Sequence, residues 1–233
     1  MNKITKSSLA ALAATVLLAL AVVSACQPSG QPNSQQPLNA GQTPDTPQPP
    51  ANQSPTQANQ YQSQHQGFDI AARFTASGFM GDGEQGRKYV QLLEAWTTNP
   101  HSTPNCIKVV YSPGPNGWGG VYWQNKPDNW GDQPGDDFSH EGYKKLTFWA
   151  RGETGNEVVE FKAGGNNKPG KQYKDSFEAS TGKVQLDKDW KQYTLDLGGE
   201  NLSSVIGGFC WVAAASANPK GATFYLDDIL YEP

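Results

Sequence analysis

Charge is scarce in this sequence. Only 17% of its 233 residues are charged, and the 18 Lys and Arg are outnumbered by 22 Asp and Glu. Binding a phosphate backbone takes a basic patch, so nucleic acid is not an expected partner. Catalytic motifs are lacking as well. There is no Gly-x-Ser-x-Gly elbow and no His-Glu-x-x-His, and the three histidines, His65, His101 and His140, are scattered. Glu157 and Glu160 are three apart in a strand-like run, so they face opposite ways and cannot flank one glycosidic bond. Gly81, Gly83 and Gly86 satisfy G-x-G-x-x-G, but no alternating strand and helix pattern follows, and a Gly-rich turn explains them. Helical patterning is nearly missing: only Lys88 to Trp96 reads as a short helix. The one long apolar run, Leu9 to Val23, is too short to span a bilayer comfortably.

That run follows Lys3 and Lys6, a basic start that makes residues 1–25 a signal peptide and the chain an exported one. Its end, Val23-Ser24-Ala25-Cys26, resembles the lipobox of bacterial lipoproteins. The resemblance implies that Cys26 is lipid-modified, becomes the N-terminus after cleavage and anchors the chain to the bacterial membrane, at the cell surface. Residues 26–66 then read as a disordered Gln/Pro-rich tether. From Gln27 to Gln66 there is no Lys, Arg or Glu, one Asp (Asp45) and no apolar periodicity. As a flexible coil this stretch reaches on the order of 35 Å from the lipid, and farther if Pro44 to Pro50 stiffens it.

What the chain has in quantity is turn formers and aromatics: 25 Gly, 17 Pro, 7 Trp and 9 Tyr. Residues 67–233 carry short strand-like runs separated by Gly, Asn, Asp and Pro clusters, which predicts a mostly β fold, a two-sheet antiparallel sandwich of jelly-roll type. Ile107, Val109 and Tyr111 alternate; so do Leu146, Phe148 and Ala150; Val159, Phe161 and Ala163; and Tyr193, Leu195 and Leu197. Phe209 to Ala214 and Ala222 to Tyr231 are more continuously apolar, as strands covered on both faces are.

The densest aromatic stretch is Trp118 to Trp130, WGGVYWQNKPDNW. Its rings serve either as apolar filling of a sandwich core or as flat platforms for a ligand with flat apolar faces, such as a sugar ring. In a strand over this stretch, Tyr122 and Trp123 point opposite ways. Val121 beside them favours Trp123 for the core and Tyr122 for the outside, with Trp118 and Trp130 free to be exposed in the flanking turns. Trp149 and Arg151 share the face opposite Leu146 and Phe148. They suit a glycan platform, or a Trp covered by a loop beside an Arg in a surface ion pair. Glu160 and Lys162 lie on one face of their strand and either extend a site or pair across it.

Five segments, Gly117–Trp123 (GWGGVYW), Leu146–Glu153 (LTFWARGE), Val158–Gly165 (VVEFKAGG), Trp190–Leu197 (WKQYTLDL) and Thr223–Tyr231 (TFYLDDILY), come in an order that resembles non-catalytic carbohydrate-binding modules of the galactose-binding-like jelly-roll superfamily. These include modules appended to bacterial glucanases, and the resemblance spans most of Ser77 to Glu232. It implies binding of a poly- or oligosaccharide on a concave face or in edge loops, without catalysis; on the chemistry of the side chains, Trp118, Tyr122, Trp130, Trp149 and Arg151 are the residues expected to carry it. It also implies a structural calcium ion, with Asp228 as a ligand. Asp82 and Glu84, in the loop from Gly78 to Glu84, could supply further oxygens; alternatively Asp227 and Asp228 are a solvated acidic pair. Cys106 and Cys210 either pair as a disulfide in an oxidising compartment or remain two buried thiols. The expected partners are a saccharide and a membrane, and the chain is expected to be a monomer.

Overall fold

The computed structural model describes residues 67–85, 87–102 and 104–233. The expected signal peptide, Cys26 and the expected tether lie outside the described residues. Among the described residues no helix is long and apolar enough to cross a membrane.

Eleven strands follow in chain order: β1 (Phe68–Asp69), β2 (Thr75–Gly81), β3 (Val90–Trp96), β4 (Cys106–Tyr111), β5 (Trp118–Gln124), β6 (Lys145–Gly152), β7 (Val158–Gly164), β8 (Glu178–Gln185), β9 (Lys191–Asp196), β10 (Gly207–Ala214) and β11 (Ala222–Glu232). One sheet runs β3-β4-β11-β6-β9, with β1 added beside β11; the other runs β2-β5-β10-β7-β8. Neighbours in both are antiparallel. The predicted two-sheet antiparallel sandwich is what forms.

The alternating runs place their apolar residues between the sheets. Phe148, Phe161, Phe209, Trp211 and Phe224 are fully buried there. Their rings mesh, with Phe148 5.1 Å from Phe209 and Trp211 5.2 Å from Phe224. Each such side chain contributes roughly 1.5 to 3 kcal/mol of burial. The continuously apolar runs became β10 and β11, the central strands that have neighbours on both sides. Trp123 enters the core from β5, against Phe209 at 5.4 Å.

One element differs from expectation. The segment read as a helix from Lys88 to Trp96 is instead strand β3, an edge strand paired with β4. Val90 is buried and Leu92 packs against the core, while Gln91, Leu93 and Glu94 are exposed. The adjacent pair Leu92-Leu93 blurred the period-2 pattern into something helical. With a hydrogen-bonding partner in β4, the strand wins.

Candidate functional site

Strand alternation along β5 sends Trp118, Gly120, Tyr122 and Gln124 to the outer face of the five-stranded sheet. Trp118 is 39% exposed, one of only two large hydrophobic residues so open among the described residues. Its indole lies against Gly81, where a Cβ would meet ring carbons at 2.9 Å. Tyr122 also points outward, but it is buried rather than exposed. Its hydroxyl donates to the Gly164 carbonyl at 3.0 Å, and its ring fills the space over Gly207. Burial raises its pKa, with the charges of Cys210 and Asp175 adding to the effect. Tyr122 is therefore a floor, corrected from an open platform.

Trp130 stands on that floor. It meets Tyr122 edge-on at 6.1 Å and is half-buried, with Lys168 Nζ 5.1 Å from its ring. Buried Asn129 fixes the turn that carries it. The Asn129 side-chain oxygen accepts from the N–H groups of Gly131, Asp132 and Gln133, and its amide donates to Asn125 and to the Gln133 carbonyl. Gln124 donates to the Asn129 carbonyl at 2.7 Å. A ring held this way loses little freedom on binding.

Between the two tryptophans the sheet face has a definite make-up. One row crosses all five strands as Met80, Gly120, Val212, Glu160 and Lys183; the next as Gly78, Tyr122, Cys210, Lys162 and Ser180. Met80 and Val212 close over Gly120, where an added Cβ would come within 2.9 and 3.2 Å of them and 2.6 Å from the Trp211 carbonyl. The β2-β5-β10 half is thus apolar and aromatic. On the β7-β8 half, Glu160 accepts from Ser180 at 2.7 Å, and Lys162 pairs with Glu178. Burial pulls the Lys162 pKa down more than any other single effect, yet the hydrogen bond to Glu178 and the charges of Glu178 and Glu160 outweigh it and hold the ammonium raised. A stacking surface beside fixed charged hydrogen-bonding groups is what a pyranose needs.

The other sequence candidates lie elsewhere. Trp149 and Arg151, on β6, face outward from the six-stranded sheet, on the opposite side of the sandwich. The loop between β3 and β4 folds over Trp149, stacking His101 on it at 3.7 Å. Arg151 is buried with its guanidinium 3.8 Å from the Tyr225 ring, and no carboxylate of the described residues pairs with it. Trp149 and Arg151 therefore share no platform with Trp118; the loop-covered Trp149 of the second reading is what forms, without its surface ion pair. Glu160 and Lys162 join Trp118 instead.

The carboxylates considered for calcium do not gather. Asp82 accepts from the N–H groups of Gly114 and Asn116 and from the Tyr111 hydroxyl, which turns donors rather than oxygen ligands toward it. Tyr111 opposes Ala222 at the start of β11. Asp228 lies six residues on, roughly 20 Å along the strand, where Ser102 and His101 hold it. Glu84 is exposed. Among the described residues no group of three or more His, Cys, Asp or Glu side chains could hold a metal ion. The two thiols are free and buried. Cys106 faces out from the six-stranded sheet and Cys210 out from the five-stranded one, so the sandwich itself keeps them from pairing.

No protein-family model matches the chain, and no curated protein matches it in sequence. Solved structures do match. A family 30 carbohydrate-binding module is similar at 15% identity and a TM-score of 0.48, over 72% of this chain and 99% of that one. The family 11 carbohydrate-binding module of a Clostridium thermocellum cellulosomal cellulase is similar at 15% identity and a TM-score of 0.44, over 72% of this chain and 94% of that one. A family 61 module solved with β-1,4-galactotriose is similar at 16% identity and a TM-score of 0.38, over 71% and 94%. The similar structures are mostly carbohydrate-binding modules. At these identities the likeness is one of fold.

Several residues of the outer face escaped sequence reading. Met80 fell in the stretch read as a loop, Gly78 to Glu84, which is strand β2 as far as Gly81, and Val212 in a run read as covered on both faces; the register of β2 and β10 against β5 puts both on the outer face. Asn129 and Lys168 sit in loops without periodicity. The signal that could have found Asn129 is its place directly before Trp130, between Asp128 and Gly131, where an Asx side chain can hold a turn.

Proposed function

We propose that this chain is a non-catalytic module that binds a poly- or oligosaccharide on the outer face of the five-stranded sheet. One observation carries the reading: Trp118 and Trp130 stand on one sheet face, with an apolar strip of Met80, Gly120 and Val212 beside a charged strip of Glu160, Lys162 and Lys183. Sugar rings stack on the tryptophans, and the charged strip receives hydroxyls. The fold likeness to carbohydrate-binding modules agrees with this. Calcium is left out, because the candidate carboxylates are apart and engaged. The proposal includes export, lipidation at Cys26 and display on the tether at the bacterial surface.

The test is retention of the full chain on a panel of insoluble and soluble neutral polysaccharides, with sugar release measured alongside. Retention without release is expected. Binding to a protein partner with no glycan retained would overturn the reading, and released oligosaccharide would establish an enzyme.

A further inference from the structure

We infer that the outer face of the six-stranded sheet is a second binding face, for a polysaccharide that carries carboxylates. It extends the saccharide-binding reading above to the opposite side of the sandwich. Leu93, Lys108, Tyr225 and Arg151 form one row across β3, β4, β11 and β6. Lys108 Nζ lies 4.2 Å from the Trp96 ring and 5.5 Å from the Tyr225 ring. The Arg151 guanidinium lies 3.8 Å from Tyr225 and 5.3 Å from Trp190, just ahead of β9. Rings and cations therefore alternate from one side of the sheet to the other.

Two observations point to an anionic saccharide. The cations are unpaired: among the described residues neither Lys108 nor Arg151 has a carboxylate at ion-pair distance. Arg151 is 8% exposed and its Nε is buried with no hydrogen-bond partner, a costly state for a cation. The neighbouring acids are engaged elsewhere. Asp227 accepts from the N–H groups of His101 and Ser102, Asp228 from the Ser102 hydroxyl, and Glu153 from the Tyr225 hydroxyl. Glu94, on β3, is exposed at the sheet edge. The second observation is apolar exposure. Among the described residues the two large hydrophobics left open are Trp118 on the five-stranded sheet and Leu93, at 41%, on this one. Trp96, Trp149 and Trp190 are half-buried here. Half-buried indoles and the exposed Leu93 beside unpaired guanidinium and ammonium groups suit sugar rings bearing carboxylates.

Affinity electrophoresis of the full chain against polygalacturonate, carboxyl-reduced polygalacturonate and dextran sulfate tests this. Polygalacturonate should retard the chain, the reduced polymer should bind about tenfold more weakly or less, and Lys108→Gln should lose about tenfold. Arg151→Lys should lose a similar factor, since Lys lacks the planar stack; should this buried position unfold on substitution, the half-buried Lys108→Gln decides alone. The loss caused by Lys108→Gln should be the same whether or not Trp118→Ala is present. Equal binding of the native and reduced polymers, no effect of Lys108→Gln, or equal retardation by dextran sulfate would overturn the second face. If Trp118→Ala rather than Lys108→Gln abolishes polygalacturonate binding, the second face is overturned while the first stands. If polygalacturonate is held through Lys108 and no neutral glycan is bound, the first reading falls and this one stands.

Discussion

Asp175 shows how one side chain couples the platform to pH. Its carboxylate accepts from the N–H groups of Asn166, Ile206 and Gly207, tying the segment between β7 and β8 to the start of β10 beneath Tyr122. Burial lifts its pKa from 3.8 to about 6, against the pull of those three N–H groups. Native Asp175 thus holds its proton more tightly than the unfolded chain does. Its contribution to stability is greatest below about pH 4, falls as pH rises to about 6 and is constant above, a change of about 3 kcal/mol at most. Denaturant titrations at pH 4 and pH 7 should show the difference between wild type and Asp175→Asn shrinking by that order as pH rises; a constant difference would contradict it. Tyr122, just above, was legible as outward-facing from alternation alone. Its burial was not, because the covering segment is more than 40 residues away and carries no pattern that points to it.

The strands show the same division between local and distant information. Four alternating runs gave their faces correctly, because the period of 2 is set by the backbone and needs no partner to be read. Which faces belong together depends on sheet assignment. Trp149 and Arg151 joined Trp118 in the sequence reading on chemistry alone, and the β6-β11 pairing carries them to the other side. Segment Lys88 to Trp96 failed for a related reason: as an edge strand it owes its form to β4, which begins ten residues beyond it. At this scale the turn of Asn129 governs the site. Asn129→Ala removes the acceptor of three N–H groups and should weaken glycan binding about tenfold by loosening Trp130, at a stability cost of about 1 to 3 kcal/mol. Titration calorimetry with thermal unfolding separates the two, and unchanged binding would show that Trp130 needs no such support.

Over the whole molecule, two faces bearing aromatic side chains lie on opposite sides of one sandwich, and the proposed function would have both displayed from a lipid anchor. If Cys26 is lipidated, cells given a labelled fatty acid should label the wild-type chain and leave Cys26→Ala unlabelled; label in both would remove the anchor. The central claim is that sugar rings stack on the outer face of the five-stranded sheet. It is tested most directly by titration calorimetry of wild type, Trp118→Ala and Trp130→Ala against a neutral polysaccharide retained by the wild type. The account predicts that each variant loses about 1 to 3 kcal/mol of binding, the scale of ring stacking on an aromatic side chain. Unchanged affinity in both variants would contradict it.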